Sequence, residues 1–565
     1  MRSDFVRIYK SVHTWTGILS GLALFIAFYA GALTIFKEPL TRWATPPQQV
    51  RWVPLAQTQS LILQTLEAHP EVAKDFSIYL QDAEHVPARM GWQVRDPQAD
   101  DHDDTQARHY VATLDAQGQV QVAASQPSQL ASLIDVLHRV VGLPVDSDPN
   151  RWLMGGVAVL YALALVSGVV VLMPSLVKDF FALRIGKNLK RMWLDAHNVV
   201  GIVSLPFHLV MVLTAIVFAY HDGIYFVQDK LLHDGRWATA FQRPSTAPPH
   251  PVPGKNPALM LSPEDLLYTA RQSAPGFEPS LLQYQQVTGA RAVVRVWGKD
   301  PSAVSPRARG GFLAIDPYSG KILNTDFLPG AQNTANLFIS SFFALHMAAF
   351  GGVAVQWLYF LLGLAGAWLF YSGNLLWVES RRKRQGRQSP SVPMQRLDTR
   401  LMAAVTVGVS LGCVSGVSLA MVGSKWLHVL LGDANPWLAG MYYTAFGGCI
   451  AWACWQGAGR AAVHLLWLAS LLTLAIPLTT LLAWCMPASG LWAHHSIASL
   501  GVDITALVGA VVLGSMAKST AQRVYTGASD SVWSTGRTWG PQGSTAPVPR
   551  QAQVVDAMGE RTGKP

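Results

Sequence analysis

A long segment without formal charge constrains the fold of this chain more than any other feature. From Phe327 to Val378 the sequence contains no Asp, Glu, Lys or Arg. The hydrocarbon core of a bilayer takes about 20 helical residues, so this segment accommodates a membrane-spanning helix and a shorter helix on one side. Gly351-Gly352 is placed to break the run between them. His346 lies near its start, and an ionisable side chain in such a segment is a functional-site hypothesis by default.

The composition favours a membrane protein and argues against nucleic acid binding. The residues are 50% hydrophobic and only 14% charged, whereas soluble domains carry about 25% charged residues. The net charge of +9 comes from Lys and Arg in loops beside apolar runs, as in membrane proteins with basic cytoplasmic loops. The cysteines lie in apolar segments, which predicts neither a disulfide framework nor a zinc site; they are Cys413, Cys449, Cys454 and Cys485.

The order of apolar runs and basic loops predicts a polytopic α-helical membrane protein with about eight transmembrane helices and both termini in the cytoplasm. The segments 178–195 and 379–400 are basic and are predicted to be cytoplasmic loops. Residues 518–565, rich in Ser, Gly, Pro, Thr and Gln, are predicted to be a disordered cytoplasmic tail. The predicted spans are 11–36, 152–177, 196–221, 337–378 (which includes an outer helical piece) and four additional helices within 401–517.

Two polar regions, 37–150 and 222–336, separate these spans on the external side. In each, a helix-like piece precedes strand-like pieces bounded by turn residues. Ser262 is predicted to cap the helix of the second region, and residues 311–323 are predicted to form a hairpin that turns at 316–320. The shared order predicts two copies of a small α+β unit outside the membrane.

Five histidines lie at matched depths on this topology. His13 and His197 are at the cytoplasmic ends of the first and third spans, whereas His138 precedes the second span and His346 begins the fourth. On a straight third helix, His208 shares a face with His197 and lies roughly 16 Å deeper. Histidine is the common axial ligand of haem iron in helical bundles, so two stacked pairs would form a route for electrons. A proton path and a metal transporter remain as alternatives.

Four fragments in fixed order resemble the PepSY-associated transmembrane family, which includes iron-regulated inner-membrane proteins and bacterial siderophore-iron reductases. The segment FLAIDPYSGKIL resembles the closing hairpin of a PepSY domain. The resemblance covers roughly residues 1–385, and the helices after residue 400 fall outside it. The fragments are VHTWTGILSGLALFIAFYAGAL, VLHRVVGLP, WLDAHNVVGIVSLPFHLVMVLTAIVFAY and ALHMAAFGGVAVQWLYFLLGLAGAWLFYSGNLLW.

The resemblance implies a four-helix membrane core in the bacterial inner membrane, two PepSY-like periplasmic domains and, as in the reductase members, b-type haem. Two haems are expected. On this sequence the axial ligands matched to the family are His13, His138, His197 and His346, with His208 in the segment LPFH as a fifth candidate.

The leading hypothesis is a ferric-chelate reductase that moves electrons across the membrane for iron acquisition. Electrons would pass an inner haem at His13 and His197 and an outer haem near His138, His208 and His346, and would reduce a ferric siderophore or other ferric chelate in the periplasm. No G-x-G-x-x-G signature is present, so a cytoplasmic protein or a membrane quinol would be the donor. The alternatives are a transporter or permease accessory for a peptide or chelate and a non-catalytic regulatory membrane protein.

Overall fold

A computed structural model of the chain describes the residues in nine ranges. They are 3–47, 50–83, 86–94, 107–176, 189–232, 255–307, 310–386, 396–526 and residue 533. Within them the chain forms a bundle of apolar helices and one antiparallel sheet with two helices on one face.

The helices fall into two groups along the chain. Those before residue 233 are α1 (Ser3–Thr34), α2 (Lys37–Ala44), α3 (Thr58–Ala68), α4 (Leu130–Arg139), α5 (Asp148–Leu172), α6 (Leu189–Val203), α7 (Leu205–Ala219) and α8 (His221–Leu232). Those after residue 254 are α9 (Pro263–Ser273), α10 (Thr334–Met347), α11 (Gly352–Gly386), α12 (Leu397–Leu431), α13 (Asn435–Gln456), α14 (Ala458–Cys485) and α15 (Ile497–Thr526).

The part of the chain that the structure describes contains six helices long and apolar enough to cross a membrane: α1, α5, α11, α12, α14 and α15. The bent pair α6 and α7 makes a seventh if it is a single span. The remaining predicted span corresponds to α13, which does not meet this criterion because its glycine, tyrosine and tryptophan residues lower its mean hydropathy. α13 nevertheless packs along α12 and α14.

The prediction of a straight third span at 196–221 is wrong. α6 and α7 meet at an angle of 67°, because Pro206 lies in the first turn of α7 and supplies no N–H group to continue the preceding helix. Ser204 lies at the break, where its hydroxyl donates to the carbonyl of Val200 at 2.6 Å. The shared face and the 16 Å separation expected for His197 and His208 on a straight helix therefore do not apply.

The predicted break in the charge-free segment is confirmed. α10 ends at Met347, and α11 begins at Gly352. Ala348, Gly351 and Gly352 have positive φ angles of 50°, 64° and 66°, a conformation that a continuing right-handed helix cannot contain. The break separates the helix that carries His346 from the spanning helix.

The two external regions form one sheet of eight antiparallel strands. The strands are β1 (Asp75–Tyr79), β2 (Met90–Val94), β3 (Arg108–Leu114), β4 (Val120–Ser125), β5 (Glu278–Gln285), β6 (Val293–Lys299), β7 (Gly311–Ile315) and β8 (Ile322–Asn324). Their order is β4-β3-β2-β1-β5-β6-β7-β8. Each half thus consists of one helix, α3 or α9, followed by four strands.

Strands β1 and β5 join the two halves, so the predicted units are not separate bodies. Their register pairs Phe76 with Tyr284, and these rings stack with centroids 4.6 Å apart. On the other face the side-chain amides of Gln283 and Gln285 donate to the Asp75 carboxylate. The sequence predicted neither of these two strands, because both carry polar residues on one face and are short or interrupted by proline.

One face of this sheet packs against α3 and α9 to form a common core of buried residues that includes Leu61, Leu266, Val294 and Leu313. The predicted cap of α9 is confirmed: the Ser262 hydroxyl accepts from the backbone N–H of Asp265, and the Asp265 carboxylate accepts from that of Ser262. The turn at 316–320 is also confirmed.

Several sequence predictions fall on the gaps between the described ranges. Most of the loop 178–195, the segment 387–395 of the basic loop and the tail from 534 lie outside the described residues. The start of the predicted tail at residue 518 is wrong, because α15 continues to Thr526.

Candidate functional site

Two of the five histidines form an inner layer on α1 and α6. His13 Nδ1 lies 2.8 Å from the carbonyl oxygen of Ala164 on α5. His197 Nδ1 lies 2.8 Å from the hydroxyl of Ser372 on α11. His197 interacts electrostatically with both His13 and His208.

The outer layer consists of His138 on α4 and His346 on α10. Their rings lie 5.9 Å apart between centroids. His138 Nδ1 lies 2.8 Å from the carbonyl oxygen of Ala27 on α1, and His346 Nδ1 lies 2.7 Å from the Thr214 hydroxyl on α7. His13 and Ala27 are about 21 Å apart along α1, so the two layers lie near opposite ends of the bundle.

These hydrogen bonds fix the tautomer of four imidazoles. A carbonyl oxygen only accepts, so His13 and His138 must donate through Nδ1–H. The Ser372 hydroxyl donates to the Leu369 carbonyl and the Thr214 hydroxyl to that of Val210, so both accept from a histidine. In all four rings the lone pair is therefore on Nε2, and each of these hydrogen bonds to the protein is made by Nδ1.

Glycines face four of the five imidazoles. A Cβ atom at Gly31 would lie 2.7 Å from His138 Nδ1, and one at Gly168 would lie 3.0 Å from His13 Nδ1. Any larger residue would displace these rings. A Cβ atom at Gly366 would lie 3.1 Å from the His208 ring, which is also tight, whereas one at Gly373 would lie 3.6 Å from the His197 ring, an ordinary contact distance.

His208 lies between the two layers rather than within either. Along α11, its neighbour Gly366 is about 10 Å from Gly373, the neighbour of His197. Along α7, His208 is about 9 Å from Thr214, the partner of His346. The bend between α6 and α7 produces this midway position.

The surroundings of His208 are aromatic. Its Nδ1 forms a short hydrogen bond with the Tyr161 hydroxyl, and the rings of Phe28 and Phe370 lie 5.5 and 6.4 Å away. The side chain is 3% exposed, and its Nε2 is buried without a hydrogen-bond partner. An unpaired buried nitrogen costs free energy, so this atom is suited to a ligand.

No group of three or more His, Cys, Asp or Glu side chains among the described residues converges as a metal-ion site. The histidines instead occur as two pairs and one single residue. Such pairs suit a group that takes two protein ligands from opposite sides.

Sequence reasoning did not identify the residues that anchor the histidines. Ser372 and Thr214 carry no distinguishing signal, and the carbonyls of Ala164 and Ala27 belong to the backbone. Tyr161 was also missed, although a polar ring within a predicted span was a detectable signal.

A second buried polar group was missed in the helices after residue 396. Lys425 on α12 is fully buried; its Nζ donates to the Trp492 carbonyl at 3.0 Å and lies 3.8 Å from the Trp43 ring centroid. The Trp43 indole N–H donates to Asp503 on α15 at 3.0 Å. The sequence signal for this group was the presence of the charged residues Lys425 and Asp503 within apolar runs.

A family model described as the PepSY-associated TM region matches residues 10–380. The matched segment contains all five histidines, and α12 to α15 lie beyond it. A comparison with curated proteins finds no match. Since the family match covers more than half of the chain and includes several apolar spanning helices, this multi-pass membrane protein belongs to the PepSY-associated transmembrane family.

Proposed function

We propose that this protein is a haem-containing reductase of the bacterial inner membrane that transfers electrons across the bilayer to a ferric siderophore or other ferric chelate. One observation carries the proposal: four histidines in two layers about 21 Å apart along α1 present Nε2 lone pairs in a fixed tautomer. Histidines that ligate metals commonly donate their other ring N–H to a carbonyl or hydroxyl in this way.

The residues present fit b-type haem. The donor set is neutral imidazole in pairs, which is the usual axial ligation in helical bundles. The orphaned Nε2 of His208 and the glycines against four of the rings are also consistent with a bulky flat group beside the imidazoles. His13 and His197 would hold the inner haem, and His138 and His346 the outer one. His208 is the alternative ligand for either.

Bound haem supplies a reversible one-electron iron couple. The residues of the chain itself orient the imidazoles and exclude water. The carbonyls of Ala164 and Ala27 and the hydroxyls of Ser372 and Thr214 orient the rings and raise the basicity of Nε2. The aromatic side chains around His208 exclude water from the middle of the bundle.

The substrate is a ferric chelate that binds on the same side of the membrane as the sheet, and this side is the periplasm. One electron converts Fe(III) to Fe(II), and Fe(II) binds hard oxygen donors less tightly because its charge density is lower. The chelate then releases its iron. The donor is a separate cytoplasmic protein or a membrane quinol.

An absorption spectrum of the purified, detergent-solubilised protein tests the proposal. We expect b-type haem bands that sharpen on reduction and two haems per chain. His69→Ala, a control at the end of α3 that contacts neither layer, should leave the spectrum unchanged. A colourless protein that still functions without His13 and His197 would contradict the proposal and favour a transporter accessory or a regulator.

A further inference from the structure

A continuous series of aromatic and cation–π contacts, called the ladder below, connects the outer histidine layer with the sheet. The ring of Phe218 lies 5.0 Å from that of His346 and 5.0 Å from that of Phe343 on α10. The guanidinium of Arg307 lies 4.3 Å from the Phe343 centroid and 5.3 Å from that of Phe327. Arg307 thus joins α10 to the segment that follows the sheet.

The ladder continues onto strands β6 and β7. Phe327 stacks on Phe312 with centroids 5.0 Å apart, and Phe312 lies 4.6 Å from Trp297. The Arg295 guanidinium covers Phe312 at 5.1 Å. Two cations and several aromatic rings therefore share one face of the sheet.

Strand alternation places these side chains together. Val294 and Val296 point into the core beneath α9, so Arg295 and Trp297 take the opposite face. Trp297 pairs directly with Phe312 across the β6–β7 ladder.

Gly311 allows the segment with Phe327 to lie against β7. A Cβ atom there would be 2.2 Å from the Phe327 carbonyl oxygen. Instead, that carbonyl accepts from the Phe312 N–H at 2.9 Å.

The two guanidiniums are poorly compensated. Neither lies within salt-bridge distance of a carboxylate in the part of the chain that the structure describes. Burial lowers the pKa of Arg295, and the charge of Asp75 only partly opposes this effect. Burial likewise lowers the pKa of Arg307. Asp75 itself is held by the amides of Gln283 and Gln285.

We propose that the face formed by Arg295, Trp297, Arg307, Phe312, Phe327 and Phe343 is the docking site of an anionic aromatic chelate of ferric iron, of the catecholate class. Arginine pairs with oxyanions through its planar fork while its face stacks on rings. The aromatic side chains accommodate catechol rings. A neutral, non-aromatic hydroxamate complex offers neither group. The inference names the substrate class and rests on the proposed function for the subsequent reduction.

Binding of a redox-inert analogue tests the docking site without electron transfer. The probe is the gallium(III) complex of a tris-catecholate. Gallium(III) is not reduced as iron(III) is, so only binding is measured. The complex is titrated calorimetrically into the full-length protein in detergent. We expect Arg307→Gln and Arg295→Gln each to weaken binding about tenfold, as for loss of one charge-assisted contact. Arg307→Lys should give an intermediate loss because it keeps the charge without the planar stack.

Arg271→Gln is the matched control, because Arg271 is an exposed arginine on α9 at the opposite face of the same half of the sheet. It should bind the probe like the wild type. The gallium complex of a neutral tris-hydroxamate should bind at least about tenfold more weakly than the catecholate, without sensitivity to any of these substitutions. Phe312→Leu, which keeps an apolar side chain, tests the aromatic half if the Arg307 variants fail to accumulate in membranes.

Equal affinity of the catecholate probe for the wild type and the Arg295→Gln/Arg307→Gln double variant would overturn the docking site. So would binding of the hydroxamate probe as tight as that of the catecholate. Arginine-dependent binding to a protein that lacks b-haem bands would instead overturn the proposed reductase function and leave the docking site standing.

Discussion

In the inner layer His13 and His197 lie on helices of the membrane bundle, whereas in the outer layer His138 and His346 lie on the short helices α4 and α10. Both layers use the same hydrogen-bonding scheme, with one ring donating to a backbone carbonyl and the other to a hydroxyl. The two layers differ in the helices that carry the histidines and in the elements that pack against those helices. The same arrangement of hydrogen bonds is therefore built on the bundle helices α1 and α6 in one layer and on the short helices α4 and α10 in the other.

The support of α4 comes partly from helices outside the family match. The Asn435 side chain on α13 accepts from the backbone N–H of Gln129 at 2.9 Å and donates to the Pro127 carbonyl at 3.1 Å, just before α4. The Tyr443 hydroxyl donates to the Gly142 carbonyl just after α4, at 3.2 Å. Both ends of the helix that carries His138 are thus held by α13. The contacts of the inner pair come from α5 and α11.

Removal of a whole layer should have the largest effect. We expect His13→Ala/His197→Ala and His138→Ala/His346→Ala each to remove about half of the b-type absorbance and all chelate reduction, because each pair would hold one haem. Spectra of the purified double variants against His69→Ala measure this. If either double variant kept the full absorbance, the division into two ligand pairs would be wrong.

The buried charge network should matter next, because it holds Trp43 on α2, a helix that packs against α4. Asp503→Ala leaves the Trp43 indole and the Thr480 hydroxyl unpaired and Lys425 without its nearby carboxylate. Loss of one member of a buried charged group costs about 3–5 kcal/mol, so the thermal unfolding midpoint in detergent should fall clearly.

Ser418→Ala is the control for Asp503→Ala, since it removes a buried hydrogen bond to Thr473 between α12 and α14 without touching α2 or α4. A comparable fall in its unfolding midpoint would contradict a special role for the charged group.

Replacing the glycines tests how tightly each layer is packed. At Gly31 a Cβ atom would meet His138 at 2.7 Å, whereas at Gly373 it would meet His197 at an ordinary contact distance of 3.6 Å. Overpacking costs about 1–3 kcal/mol, so Gly31→Ala should shift the spectrum of the proposed outer haem, and Gly373→Ala, the matched control, should leave the spectrum unchanged. Equal shifts would mean that the distance between the glycine and the ring does not decide the effect of the substitution.

The smallest effect should come from the contacts between α13 and α4. Tyr443→Phe removes one hydrogen bond, worth about 1 kcal/mol. We expect faster hydrogen exchange in α4 but unchanged exchange in α6, measured by mass spectrometry. Asn435→Ala should act in the same direction at the other end of α4. Unchanged protection of α4 in both variants would show that α13 does not support the outer layer.

The sequence was informative where periodicity and charge decide the structure. The apolar runs predicted most of the helices, and the break before Gly352 followed from paired glycines. The straight third helix failed because Pro206 outweighs the continuous apolar pattern around it. Strands β1 and β5 were missed because their pairing across about 200 residues leaves little local signal. Sequence separation also hides the contact between Arg307 and Phe343, which depends on where the sheet meets α10.

Since β1 and β5 make one sheet of the two halves, the strands that precede α4 and α10 are its opposite edges, β4 and β8. Eight strands at the usual spacing extend about 34 Å. The chain thus exits the sheet from its two opposite edge strands, and the helices that follow bring His138 and His346 to within 5.9 Å between ring centroids. The β1–β5 pairing therefore closes a loop of structure, in which the two outer imidazoles meet at one end and the two halves of the sheet meet at the other.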